Sequence, residues 1–322
     1  MRSPTFPTFP HHCPIRPGSC ITARLSPGSC RLKPRHILLA VAIAFVWGLN
    51  FLFIRLALTD FPPLLLAALR FAIAALPVLI LPKPPVRWSV LIAIGGALFF
   101  GQFALLFPAM AVGMPPGLAS IGLQLQAFIT VIIAAVVLRE WPSGRQIAGA
   151  AVAFGGLVLV GATVGTNGVT LAGFLLLLGA AACWATGNVM LRRAGAVDML
   201  SLVTWLSLVP ILPLLALSLT FEGPSRIAGA IVGATWLSVG SLLYIAVVST
   251  MFGYVAWGHL LKLYPAAMVV PFALLVPVSG TLSAALILGE HFGRLRLAGM
   301  VLIFIGLGVL VMPRRRRRPG ER

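Results

Sequence analysis

Between Ile37 and Met312 the chain alternates long apolar runs with short breaks marked by a charge, a proline or a glycine pair. Ten runs stand out, near residues 36–58, 62–81, 88–110, 116–138, 145–163, 170–191, 200–219, 237–260, 266–288 and 295–312. Each is about 20 residues long, enough for a helix rising 1.5 Å per residue to cross a hydrocarbon core of roughly 30 Å. None shows the period-two alternation of a barrel strand, and an unpaired backbone group in lipid costs several kcal/mol. The predicted fold class is therefore all-α: a polytopic membrane protein with ten transmembrane helices.

Composition strengthens this reading. Of 322 residues, 60% are apolar and only 9% charged, whereas a water-facing surface needs about a quarter to a third of its positions charged. The net charge of +18 suggests a nucleic-acid partner until its location is considered. Six basic residues precede the first run, Arg314 to Arg318 and Arg322 follow the last, and Lys83, Arg87, Arg139, Arg145, Arg192, Arg193 and Lys262 fall in alternate breaks. The remaining breaks hold only Arg226, Arg294 and Arg296. That asymmetry follows the positive-inside rule and places both termini of the multi-pass chain in the cytoplasm. The last outside break, with two arginines, is its weak point. The Arg314 to Arg318 run then anchors a tail (313–322) to anionic headgroups, and no nucleic acid is expected. Residues 1–35, rich in Pro, Ser and Gly without periodicity, read as a disordered basic tail. A cleaved secretory signal fits less well, because the first apolar run continues to Leu58. Cys13, Cys20, Cys30 and Cys183 form no CxxC pair, so neither zinc nor a disulfide framework is indicated, and no cofactor is expected.

The runs are not all independent. At an offset of 150, Pro115 meets Pro265, Leu138 meets Leu288, Glu140 meets Glu290, Gly149 meets Gly299 and Gly156 meets Gly306. At 137, Trp47 meets Trp184 and Arg55 meets Arg192, while Asn50 and Asn188 are one residue out of register. The difference fits a longer loop around Glu222 to Thr235. Residues 36–163 and 170–312 thus read as two copies of a five-helix unit. Five crossings leave the chain on the opposite side, so the second copy is inverted. Inverted repeats mark secondary transporters, whose substrate site lies near the midplane between the halves.

The stretches "MPPGLASIGLQLQAFITVIIAAVVLRE" (114–140), "YPAAMVVPFALLVPVSGTLSAALILGE" (264–290), "FPPLLLAALRF" (61–71) and "YIAVVSTMFGYVAWGHLL" (244–261) carry a resemblance. From about His36 to Met312 the chain resembles EamA-type carriers of the drug/metabolite transporter superfamily. "GMPPGLAS", "LQLQAF" and "FALLVPVSG" are most similar to the bacterial O-acetylserine/cysteine exporters. The resemblance implies a central cavity lined mainly by helices 1, 3, 4, 6, 8 and 9, alternating access, and export of small amino-acid metabolites. A carrier of another small organic solute, such as a sugar, nucleobase or drug, is the alternative.

Few residues in the runs can contact such a substrate. Arg70 lies nine residues into the second run, about 13 Å deep, where an arginine costs roughly 2.5 to 3.5 kcal/mol on insertion scales and usually faces a partner or an aqueous cavity. Two readings stand: a structural arginine bonding backbone carbonyls, which is the simpler, and a partner for a substrate carboxylate. The acidic residues, Asp60, Glu140, Asp198, Glu222, Glu290 and Glu321, all avoid the middle of the runs, which disfavours an Asp/Glu proton relay. Glu140 and Glu290 are read as helix-end charges paired with nearby arginines, with a gate role as the minority view, and Arg55 as an arginine snorkelling to the interface. Gln102, Gln124 and Gln126 are amides in the third and fourth runs. Gln124 and Gln126 are about 200° apart around a helix, so one of them at most faces substrate; Gln126 is favoured. Trp47, Asn50, Trp184, Asn188, Tyr244, Tyr254 and Trp257 are candidate cavity walls, with rigid packing between helices as the competing reading. Pro271 and Pro277 interrupt the ninth run and free backbone carbonyls. His259, near a helix end, reads as a satisfied surface histidine.

Nothing in this inventory supplies a nucleophile with a base, a metal cluster or a GxxxxGK[ST] phosphate loop, so neither an enzyme nor an ATP-driven pump is expected. The expected partners are an amino-acid derivative, the lipid bilayer and, as a candidate, a second copy of the chain.

Overall fold

A computed structural model describes residues 32–137, 143–163, 169–191, 197–264, 266–269, 272–273 and 275–311; Glu140, Arg139, Arg192 and Pro271 lie outside them. The described residues are helical, with no strand. The helices are α1 (Pro34–Ala57), α2 (Pro63–Leu79), α3 (Trp88–Ala111), α4 (116–137), α5 (Gly144–Gly161), α6 (Leu171–Leu191), α7 (Met199–Phe221), α8 (Pro224–Gly233), α9 (Trp236–Leu263), α10 (Ala266–Val269), α11 (Leu275–Leu288) and α12 (Arg294–Val311). Among them α1, α3, α4, α5, α6, α7 and α9 are long and apolar enough to cross a membrane, and α2 and α11 are shorter apolar helices.

Local chemistry sets the starts. Proline stands in the first turn of α1, α2, α4 and α8, where its missing N–H costs nothing. Ser143 and Gln146 form a reciprocal capping box on α5, and the side chains of Asp198 and Thr235 cap α7 and α9. Two departures from the sequence reading follow from composition. The stretch read as a long loop after Glu222 contains α8, whose Pro224 opens a helix. The seventh run bends at Val209–Pro210, because Pro210 has no N–H to continue the ladder.

Helices α5 and α12 approach through glycine. A Cβ on Gly156 would lie 2.5 Å from the Gly299 carbonyl oxygen, and one on Gly306 2.5 Å from that of Gly149. The helices therefore run antiparallel with backbone against backbone, the small-residue contact that compensates in lipid for a weak hydrophobic drive. Gly48 of α1 likewise meets Ser279 and Gly280 of α11 with no space for a side chain. The interior is filled by Phe71, Phe99, Phe107 and Phe128, all fully buried. Large apolar side chains such as Val136, Leu286 and Trp236 face outward, as a lipid-facing surface requires.

At one end of the bundle two carboxylates join elements distant in sequence. Glu222 accepts the backbone N–H groups of Leu64 (2.7 Å) and Leu65 (3.1 Å) at the start of α2, and the Ser218 hydroxyl (2.6 Å). Asp60 accepts the N–H (2.8 Å) and hydroxyl (2.6 Å) of Thr235, which hold its carboxyl down at about 2. Glu222→Ala strips α2 of its only acidic cap and should lower stability by about 1–2 kcal/mol, read as a lower thermal midpoint in detergent; an unchanged midpoint would remove the capping role. At the opposite end Lys262 pairs with Asp198 at 3.3 Å, and Ser201 and Trp205 donate to the carbonyls of Pro82 and Leu81.

Candidate functional site

Two helices depart from α geometry inside the bundle. Residues Gly96–Gly101 of α3 and Tyr244–Phe252 of α9 form π turns, in which each N–H reaches five residues back. Such turns widen the helix and redirect carbonyls, often at functional positions. The π turn of α9 faces α1 and α2. Trp47 donates its indole N–H to the Ser249 carbonyl (3.0 Å), Tyr244 donates its hydroxyl to the Val46 carbonyl (2.9 Å), and Arg70 donates Nε–H to the Thr250 hydroxyl (2.9 Å).

Around this junction runs a continuous aromatic path. Trp47 packs on Trp257 and Tyr254 with ring centroids 5.3 and 5.6 Å apart, Tyr254 meets Phe99 at 5.9 Å, and Phe99 stacks on Phe71 at 4.9 Å. Phe103 continues from Phe71 at 5.2 Å, and the Arg70 guanidinium lies 4.4 Å from its ring centre. Arg70 is only 3% exposed, and its Nη1 has no hydrogen-bond partner. Among the described residues its partners are a hydroxyl and aromatic faces, not the backbone carbonyls expected of a structural arginine. A ring face stabilises a desolvated cation, but an unpaired N–H of a guanidinium still lacks an acceptor.

Two buried acceptors, on α1 and α3, are also unsatisfied. Asn50, one turn along α1 from Trp47, is buried with Oδ1 unpartnered, and Gln102, adjacent to Phe103, is buried with Oε1 unpartnered. The other amides are committed. Asn188 donates to Gln126 Oε1 at 2.9 Å, joining α6 to α4, while Gln124 donates to the Ala273 carbonyl at 3.4 Å. Gln124 and Gln126 thus address different neighbours, with a 3-10 turn at Leu123–Leu125 between α-helical segments. Trp184 is half-buried against the same core, but its indole makes no hydrogen bond among the described residues, unlike that of Trp47.

The remaining candidates lie apart. Pro271 falls outside the described residues. His259 is exposed, 6.2 Å from the ring of His36 at a helix end. Glu290 lines a surface cavity of about 430 Å³ with Pro115, His291, Phe292, Gly293 and Arg296, and accepts the Gly117 N–H at 3.2 Å. Burial pushes its carboxyl up, opposed by that N–H and by the charges of Arg296 and Arg55. A carboxyl raised above its ordinary 4.5 contributes stability that is full below that value and lost as pH rises through the raised one. Glu290→Gln should therefore flatten the fall in thermal midpoint on raising pH through this window; an unaltered fall would assign it elsewhere. Among the described residues no cluster of His, Cys, Asp or Glu could hold a metal ion.

Sequence inspection missed Ser249, Thr250, Phe99 and Phe103. The two hydroxyls stood only as a pair inside "VVSTMF" and the two rings only as apolar positions of the third run, both indistinguishable from ordinary helix packing.

The EamA-like transporter family model matches residues 34–162 and 171–312. The chain is 43% identical over 286 residues to a probable amino-acid metabolite efflux pump of Salmonella typhimurium and 41% identical to one of Escherichia coli, each alignment covering 87% of this chain and 96% of the relative. A solved crystal structure superposes with a TM-score of 0.57 at 21% identity, covering 86% of this chain and 96% of that one, and so shares the fold.

Proposed function

Because the chain belongs to the EamA-like transporter family, we propose that it is a secondary carrier exporting small amino-acid metabolites of the cysteine and O-acetylserine type by alternating access. The observation that carries this reading is three buried polar groups without a partner, the Arg70 Nη1 amino group and two amide oxygens, Asn50 Oδ1 and Gln102 Oε1. Together they complement a zwitterion, with a cationic donor for the carboxylate and neutral acceptors for the ammonium group. The described acidic residues, Asp60, Asp198, Glu222 and Glu290, stand at helix ends and supply no negative charge there, which disfavours cationic drugs. Trp47, Tyr244, Tyr254 and Trp257 are taken as amphipathic wall residues, and Gln126, Asn188 and Trp184 as further lining from α4 and α6. The names of the two relatives lend the substrate class.

In this reading the chain has ten spans in two inverted repeats, both termini being cytoplasmic in the inner membrane. Two features support the inversion. The π turn at Gly96–Gly101, moved by 150 residues, falls within that at Tyr244–Phe252. Gly149 and Gly156 move onto Gly299 and Gly306, so the Gly156–Gly299 contact maps onto the Gly306–Gly149 contact. A contact that maps onto itself with antiparallel helices fits a two-fold axis in the membrane plane. Basic residues concentrated on one side supply the orientation.

Reconstituted vesicles test the substrate class. Unlabelled cysteine or O-acetylserine inside should drive counterflow of the labelled compound, and an amino-acid methyl ester or amide should compete poorly. Counterflow with a sugar or nucleobase and none with an amino acid would replace the substrate class while leaving the fold.

A further inference from the structure

The π turn of α9 does more than widen a helix, because it fixes the polarity of one hydroxyl. A threonine hydroxyl has a single proton to donate and two lone pairs. In a helix it usually bonds a carbonyl three or four residues back, but Thr250 donates to the Ile245 carbonyl, five residues back, at 2.8 Å. With its proton committed there, the oxygen presents a lone pair to Arg70 and accepts Nε–H at 2.9 Å. Thr250 is fully buried, so no water competes for either bond. The neighbouring Ser249 carbonyl is held by the Trp47 indole, which limits rotation of the turn. Thr250 therefore pins Nε while the Phe103 ring supports the guanidinium, and Nη1 stays unpaired.

We propose that Thr250 is a positioning and specificity-determining residue: it aims the free edge of Arg70 so that the site selects ligands bearing a carboxylate. The inference rests on the amino-acid export reading above. A planar guanidinium held at one nitrogen has a fixed remaining edge, whereas one held only by ring contacts can turn about its stem and lose directed pairing.

The test uses the full-length protein in vesicles, with labelled cysteine as substrate and unlabelled cysteinamide as competitor. Thr250→Val keeps the shape and removes both hydrogen bonds; Thr250→Ser keeps the hydroxyl. Thr250→Val should raise the KM for cysteine about tenfold, the equivalent of one weak charge-assisted hydrogen bond. Inhibition by cysteinamide should change by less than about twofold on the same scale, so the preference for a carboxylate collapses. Thr250→Ser should retain the wild-type preference. If Thr250→Val does not reach the membrane, Thr250→Ala against Thr250→Ser carries the same comparison. Equal losses for both compounds would show a packing role and overturn the inference, as would an unchanged preference in the Val or Ala variant. A wild-type protein that carries no amino acid overturns the transport reading and this inference with it; wild-type cysteine transport without the Thr250 effect overturns this inference alone.

Discussion

Arg70→Gln should lower amino-acid export about thirtyfold or more while the protein still accumulates in the membrane at its wild-type level. The size follows from removing a cation buried inside the bundle, since a hydrogen bond to a charged partner contributes about 1.5–3 kcal/mol and each 1.4 kcal/mol is about tenfold. Folding should survive, because among the described residues Arg70 has no ion pair to orphan. Its side-chain contacts are the Thr250 hydroxyl and the rings of Phe103, Phe71 and Phe107. Gln retains a donor for Thr250 and introduces no buried charge. Arg70→Lys should also fail to restore export: an ammonium keeps the charge but cannot both hold Thr250 through one nitrogen and present a planar edge with others. Membrane levels by immunoblot and uptake or efflux of labelled substrate read the two effects separately. Loss of the folded protein in both variants would return Arg70 to a structural role.

The largest effect on folding belongs to Gly156. A leucine there would drive its Cβ into the Gly299 carbonyl and the Ile303 backbone, with distances of 2.5 and 2.8 Å before any further atoms are added. Backbone cannot rotate aside as a flexible side chain can, so α5 and α12 must separate. Overpacking typically costs about 1–3 kcal/mol and occasionally more; backbone contact along a whole helix pair places Gly156→Leu at or above about 3 kcal/mol on that scale. The expected result is little folded protein in mild detergent, judged by size-exclusion profile and thermal midpoint. Gly155→Leu is the control, since a Cβ at Gly155 meets nothing within 4 Å. Equal tolerance of both substitutions would show that the close crossing does not hold the bundle together.

The helices were legible because lipid leaves no other way to satisfy a long apolar backbone, and their edges agree closely with the charge and proline breaks. Arg70 was legible for the same reason: a lone charge at the centre of a run has to be answered. Its partner was not. Thr250 sits in an apolar stretch where a hydroxyl ordinarily bonds its own helix, and no residue pattern announced the five-residue reach that turns it toward Arg70. The repeat predicted Trp47 and Trp184 as equivalents, yet Trp47 bonds the Ser249 carbonyl and Trp184 has no such partner among the described residues. The different neighbours follow from the local register, as the one-residue slip between Asn50 and Asn188 indicates. Asn188 reaches Gln126, whereas Asn50 leaves its oxygen unpaired. Pairing between helices depends on rotation about each axis, which a hydrophobic run many residues long leaves undetermined.

The most direct measurement is efflux of labelled cysteine, O-acetylserine and a panel of other amino acids from cells producing the chain, with and without a pH gradient, beside cells producing Arg70→Gln at equal membrane level. A carrier of the proposed kind raises efflux of cysteine or O-acetylserine above the empty-vector background and loses most of that increment in the variant. No amino-acid efflux above background from the wild-type chain would contradict it.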